Sequence, residues 1–509
     1  MEKIGTSIKR NYNPARLKYS VIGTVVFYLA ANGFILFNYV PQHDDLNYVG
    51  NFGETWAVRL GKFLVPAFGY LRGIITAPLL IGLLSMVCLC AMIYMLVDLL
   101  EINRPFFILL TAGFLCANIT QTENLSSFLF LEDVFMTAAM LSCLAVYISQ
   151  KKDGVKWKAV SVLCMVSSMG LYQAYLSFAI TLVLILLLNN ILKRGKVCKE
   201  DILGMLKSVL LLLFAVSIYF IINKLVLSLT GLTEPNDYHS MSNLLQDLGS
   251  LLNRIYVAYG SKFSMFFVRK GMGLGRIGNC LLAIIFTLIV HFYFCKSHMS
   301  VKDRLIFLVF LCVSTGSALM FNIGAGMVAY RLSFALFLYY LFAISILEII
   351  IEGSDFIPKS LLLTTISSFL LCIVIWSNLV YSNGAYTTQK IIFDRSISLY
   401  TRVLDDIYEI PEYVHNQTPV IILGDYTFDD YAYNLSKKEY RDLGTFKNTS
   451  VTYPLTVKNL MRYLGEEINM ILDENIYTKT AEKPEVRNMP SFPNKGYIQM
   501  IDEYLVINF

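Results

Sequence analysis

The chain has 509 residues, 56% of them apolar and 16% charged, with a mean hydropathy of +0.57, far from the balance of an ordinary soluble domain. Its net charge of +5 is small for this length, and no basic stripe with base-stacking aromatics accompanies it, so nucleic-acid binding is excluded and an integral membrane protein is implied. The ten cysteines fall in or beside apolar runs or in short basic loops, none beyond Cys372, and form neither a disulfide framework nor a CxxC metal site.

Lys3, Lys9, Arg10, Arg16 and Lys18 precede the first apolar run. No small-residue cleavage site follows it, so the run reads as a retained first helix rather than a signal peptide. With about 20 apolar residues needed per crossing, the chain holds roughly eleven. They lie near 20–39, 73–97, 105–120, 128–148, 158–171, 173–192, 206–230, 277–295, 305–322, 331–351 and 360–381. Lys and Arg concentrate on the cytoplasmic side, which puts there the N-terminus and the loops holding Lys151 and Lys152, Lys193 and Arg194, and Lys302 and Arg304. The apolar run 159–188 has basic residues at both ends, and an even number of crossings must lie between them. It therefore divides into two short helices turning at Gly170-Leu171-Tyr172-Gln173.

This parity gives the outer face the segment 40–72, a short turn at 120–127, the Tyr172-Gln173 turn, a long loop at 231–276, the turn before Arg331 and everything after residue 381. In the long loop Leu244, Leu248, Leu251, Leu252, Ile255 and Tyr259 recur at helical spacing, as in an interfacial amphipathic helix. Lys262, Arg269, Lys270 and Arg276 follow, an unusual basic cluster for an outer loop. Beyond residue 381 charged residues become frequent, so 1–381 reads as a membrane domain and 382–509 as a small extracytoplasmic α/β domain. Within the latter, 391–410 and 455–469 look helical, 420–424 a buried strand and 496–509 a closing pair of strands.

Two acidic pairs stand out. Asp44 and Asp45 lie in Pro41-Gln42-His43-Asp44-Asp45, just past the first crossing. They could merely cap a solvated turn, but a carboxylate at the membrane boundary can also take the proton of an attacking hydroxyl. Adjacency lets one ionise more easily than the other. Glu132 and Asp133 sit near the outer end of the fourth crossing, where an ionisable group usually faces a polar cavity, unless the helix begins after them. Glu123 is expected to be solvated. Arg59, Lys62, Arg72 and Arg331 are candidate headgroup anchors that together suit a lipid phosphate. Tyr172 and Gln173 could hydrogen-bond a sugar. His43 with Asp44 and Asp45 offers a weak divalent-cation site, because three consecutive residues rarely face one ion. No Ser/His/Asp signature or glycine-rich nucleotide loop is present.

Four stretches carry a resemblance that covers essentially the whole chain. They are Asp44-Asp45, Arg59-Leu60-Gly61-Lys62, Gly170-Leu171-Tyr172-Gln173-Ala174 and the closing Pro490-Ser491-Phe492-Pro493-Asn494-Lys495-Gly496-Tyr497-Ile498. In their order and topology the chain resembles the phage-type, serotype-converting O-antigen glucosyltransferases and their bacterial relatives, membrane glycosyltransferases of the GT-C fold. The resemblance implies a polyprenyl-phosphate-linked sugar donor and an acceptor glycan, O-antigen or another cell-surface polysaccharide. It implies work on the outer face of a bacterial cytoplasmic membrane. Asp44 or Asp45 would then be the general base, with His43, Arg59, Lys62, Glu132, Asp133, Tyr172, Gln173 and Arg331 binding substrate. The competing readings are a lipid-linked sugar flippase, against which no repeated half is seen, and an O-antigen polymerase or ligase, which usually centres on a large loop between helices.

Overall fold

The computed structural model describes residues 13–41, 43–47, 54–73, 75–235, 248–268, 273–326, 329–352, 357–426 and 452–509. The first helix, α1 (Pro14–Phe37), starts where the sequence supplies both a cap and a proline. The Asn13 side chain accepts from the backbone of Ala15 and Arg16 at 3.1 and 3.3 Å, and Pro14 occupies the first turn, where its missing N–H costs nothing. Three short helices follow, α2 (His43–Asn47), α3 (Glu54–Arg59) and α4 (Val65–Arg72). The bundle continues with α5 (Pro78–Leu99), α6 (Pro105–Cys116), α7 (Ile119–Ser127), α8 (Glu132–Lys151), α9 (Val155–Leu171), α10 (Tyr175–Arg194) and α11 (Lys199–Thr230). Then come α12 (Leu251–Phe263), α13 (Leu274–Lys296), α14 (Val301–Ala318), α15 (Met320–Ala325), α16 (Leu338–Glu352) and α17 (Ile357–Tyr408).

Among the described residues nine helical segments are long and apolar enough to cross a membrane. The other two expected crossings are present as helices: α9 has only 17 residues, and α14 carries Lys302, Asp303 and Arg304 in its first turns. The division of 159–188 is as expected, with α9 ending at Leu171 and α10 starting at Tyr175. Helix α10 is the centre of the bundle, with 89% of its apolar window buried, whereas α11 and α13 are only 28% buried and offer their apolar faces outward.

The two ends of the bundle differ in chemistry. At one, Arg16 from the start of α1 and Lys151 from the end of α8 both pair with Asp98 near the end of α5, and the Tyr147 hydroxyl donates to the same carboxylate at 3.1 Å. The other end carries Asp44 and Asp45. Two expectations change there. The stretch 120–127 is no open turn but lies within α7, started by Asn118, whose side chain accepts from Gln121 N at 3.0 Å. Its polar residues, Glu123 included, are all buried. The expected boundary at 381 is crossed by one continuous helix, because α17 runs for 52 residues, about 78 Å at 1.5 Å per residue.

The C-terminal segment forms a three-stranded sheet of order β1-β3-β2. Strand β1 (Val420–Leu423) runs parallel to β3 (Tyr504–Asn508), which pairs antiparallel with β2 (Ile498–Ile501). Helices α18 (Pro454–Tyr463), α19 (Glu474–Ala481) and α20 (Pro484–Arg487) accompany it. Helix α18 packs on α2, and the Tyr463 ring lies 6.4 Å from that of Tyr39 and 5.7 Å from that of Phe393. The C-terminal segment therefore braces the helix that carries the aspartates.

Candidate functional site

Helix α2 has both aspartates in its first turn, and consecutive helical residues point about 100° apart. The two side chains accordingly meet different surroundings. Asp45 is fully buried and accepts from the backbone N–H of Phe130 at 3.1 Å, a charge-assisted bond that ties α2 to the turn before α8. Burial, and then the Asp45 carboxylate, push the nearby Tyr39 phenol above its usual range. Asp44 is half-buried and interacts electrostatically with Lys62. The side chain of His43 lies outside the described residues.

Lys62 is held by a loop of defined geometry. Helix α3 ends in a paired cap, Gly61 N bonding to Val58 O and Lys62 N to Ala57 O, each at 2.9 Å. That closure needs a left-handed residue at the turn, and Gly61 supplies φ +78°. The Gln173 amide donates to Leu60 O at 2.7 Å and to the Tyr219 hydroxyl at 2.9 Å, and that hydroxyl donates to Gly61 O at 3.0 Å. Leu64 N bonds to Gly170 O at 3.0 Å. The Gly170 to Gln173 turn is thus the clamp of the Lys62 loop, and the Gln173 amide is occupied by chain contacts. Lys62 Nζ lies 5.0 Å over the Tyr172 ring, which packs 4.6 Å from Phe135. Burial, then Arg331, lower the Lys62 pKa to about 8, against the opposing pull of Asp44.

Arg331 enters from the 3-10 turn at Tyr330–Phe337. Its backbone N–H donates to Glu123, its guanidinium stands 3.6 Å from the same carboxylate, and it lies 4.7 Å over the Phe128 ring. On the far side of Glu123 stands Lys262 from α12, buried, donating to Ala329 O at 3.2 Å and 4.7 Å over the Tyr330 ring. Burial lowers its pKa to about 8, with Glu123 acting in the opposite direction. Asp44, Lys62, Arg331, Glu123 and Lys262 therefore form a row of electrostatically interacting groups. Among the described residues neither lysine has a carboxylate within ion-pair distance.

The second acidic pair opens α8 and is buried. Asp133 accepts from Arg72 at 2.6 Å, and the same nitrogen of Arg72 donates to Phe130 O at 2.8 Å. This enclosed ion pair holds the turn before α8. Glu132 points inward, and neither of its oxygens has a hydrogen-bond partner. The hydroxyls of Tyr28, Tyr175 and Tyr386 stand close enough to interact with it electrostatically. Arg59 departs from the group: it donates to Thr233 O at 2.9 Å and lies 5.6 Å over Trp56.

Of the expected site residues, Asp44, Lys62, Tyr172 and Arg331 come together. Asp45, Asp133 and Gln173 are engaged in holding the backbone around them, and Glu132 lies deeper. Glu123, expected to be solvated, is instead buried as the counter-charge of Arg331. Lys262 was visible only as part of an out-of-place basic cluster, and nothing local placed it opposite Tyr330. Such a row can hold an anion between its cations and accept a proton at Asp44. Among the described residues no cluster of three or more His, Cys, Asp and Glu is arranged for a metal ion.

A family model described as "Glucosyl transferase GtrII" matches residues 33–345, a span that takes in α2, the Lys62 loop, α7, Lys262 and Arg331. No curated protein and no solved structure matches the chain.

Proposed function

The chain belongs to the glucosyl transferase GtrII family, and from that premise we propose that it moves glucose from a polyprenyl-phosphate carrier to an acceptor glycan at the outer face of a bacterial cytoplasmic membrane. The Asp44 carboxylate takes the proton of an acceptor hydroxyl as the hydroxyl oxygen bonds to the anomeric carbon. The bond from that carbon to the phosphate oxygen breaks, its electron pair stays on the phosphate, and the growing negative charge is met by Lys62 and Arg331. Polyprenyl monophosphate leaves. Since phosphate is already a good leaving group, no general acid is needed.

The observation that carries this reading is the half-buried Lys62 ammonium within electrostatic reach of Asp44 and Arg331, with no ion-pair partner among the described residues. A desolvated cation next to a second cation is unfavourable by itself. An entering phosphate offsets that cost, which is what a site built for an anionic group requires. Tyr172 provides an apolar ring under the ammonium, and Asp45 holds α2 in place without facing Lys62 itself.

The test is transfer by the purified protein from a polyprenyl-phosphate glucose to a membrane glycan. Asp44→Asn is expected to lower the transfer rate by about 10²–10⁴, the usual range for a lost general base, in a variant that still folds. Full activity in Asp44→Asn overturns the base assignment. Movement of the sugar across liposomes without covalent transfer overturns the enzyme reading in favour of a flippase.

A further inference from the structure

At the end of the bundle opposite Asp44, a cavity of about 700 Å³ lies between the first turn of α6, the end of α16 and the third to fifth turns of α17. Its position is fixed by Asn103, which accepts from Arg16 at 2.7 Å, just before the cavity's rim residue Arg104. The volume is that of a pocket for a small organic molecule, but its shape follows the helices. Thr364, Ser368 and Cys372 line it on one face of α17, a rise of about 12 Å along the helix axis. Phe106 and Phe369 line it while exposing 47% and 65% of their own surface, so it opens sideways toward the surroundings of the bundle rather than into its core.

Two polar features interrupt this apolar lining. Arg104 stands at the rim, half-exposed, and among the described residues its ion-pair contact is with Glu348 at 4.0 Å. At this end Arg16 and Lys151 are already engaged with Asp98. Inside, the Thr364 hydroxyl is buried and has no hydrogen-bond partner, and an orphaned buried donor calls for a ligand group or water. We propose that the cavity is a binding site for an anionic glycerophospholipid of the bilayer. One acyl chain lies along α17 between Phe106 and Phe369, an ester oxygen accepts from Thr364, and the phosphate pairs with Arg104. The pairing of a guanidinium at the rim with an apolar slot running away from it selects a molecule that is anionic at one end and hydrocarbon beyond. This site is separate from the Lys62 row and does not depend on the transferase reading.

Native mass spectrometry of the full chain in detergent tests it, with dioleoyl phosphatidylglycerol or dioleoyl phosphatidylcholine added at equal concentration. One phosphatidylglycerol is expected to stay bound per chain, with phosphatidylcholine held about tenfold more weakly, because the choline ammonium offsets the phosphate charge that Arg104 meets and is repelled by the guanidinium. Arg104→Gln should erase that preference, and Thr364→Val, which keeps the side-chain shape and the fold, should weaken retention of both lipids. Ser368→Trp should exclude both by filling the slot. Equal retention of the two lipids by the unaltered protein, or an unaltered preference in Arg104→Gln, overturns the proposal. Displacement of phosphatidylglycerol by an equimolar polyprenyl phosphate overturns the assignment of the occupant.

Discussion

Replacing Gly61 by alanine isolates the way the fold aims Lys62. Gly61 sits at φ +78°, where an L side chain costs about 1–2 kcal/mol. A Cβ there would lie 2.4 Å from the Tyr219 hydroxyl and 2.7 Å from Gln173 Nε2, so both groups must withdraw. They make the three hydrogen bonds that hold Leu60 and Gly61, each worth about 1 kcal/mol net. The sum is roughly 4–5 kcal/mol, with the three bonds lost together because they share atoms. Gly154 supplies the control: it too has positive φ, +102°, but nothing lies within 4 Å of its added Cβ, so Gly154→Ala carries the backbone cost alone. Thermal unfolding in detergent should show Gly61→Ala several degrees below Gly154→Ala. In the transfer assay Gly61→Ala should lose about 10- to 100-fold in kcat/KM through the misplaced ammonium, the effect of one charged contact. Equal melting temperatures for the two variants, or unchanged kcat/KM in Gly61→Ala, refute the clamp.

Asp45→Asn removes the charge that accepts from Phe130 N and should lower stability by about 1.5–3 kcal/mol. An unchanged melting temperature in Asp45→Asn removes the structural role given to Asp45. Lys62 and Lys262 both have folded pKa values near 8, below the ordinary 10.5. The unfolded chain therefore binds more protons between these values, and stability should rise as pH goes from about 8 to 10.5 and lose this contribution as pH falls through 8. Donor binding runs the other way, since it needs the ammonium: KM for the lipid-phosphate sugar should climb above pH 8, and Lys62→Arg, which stays charged, should flatten that climb. A KM that is flat from pH 7 to 9.5 in the unaltered protein counts against Lys62 as the phosphate partner.

What the sequence made legible was whatever is encoded locally. The apolar runs gave the helices, and the basic flanks of 159–188 required the turn that the structure has at Tyr172. The short apolar run at 420–424 and the closing segment 496–509 gave the strands. The expectations that changed concern partners distant in the chain. Glu123 looked like a loop residue because its counter-charge, Arg331, lies 208 positions away. The composition shift after residue 381 read as a domain boundary. Yet Asn383 Nδ2 bonds to Leu379 O within α17 and to Ala30 O across the bundle, both at 2.9 Å, so the helix runs on past that point and is held to α1 there. Gln173 was legible as a polar residue at a turn, but that its amide faces Leu60 and Tyr219 is a tertiary fact.

The turn before α8 explains why two adjacent aspartates with one sequence context have different work. Phe130 is gripped from both sides: its N–H is bonded to Asp45 and its carbonyl to Arg72, which in turn is fixed by Asp133. A buried ion pair of this kind contributes little net stability over an apolar replacement, but removing one partner strands the other. Its value here is geometric, because it makes the position of α2 depend on α4 and α8 together. With Asp45 anchored in this way, the turn of the helix gives the neighbouring side chain a separate direction, and that neighbour is Asp44, beside Lys62. The Lys62 loop is set independently by Gln173 and Tyr219. Two clamps that share no residue thus bring a carboxylate and an ammonium into electrostatic reach without placing them in an ion pair among the described contacts. In the proposed reaction that separation keeps the ammonium available to the donor phosphate.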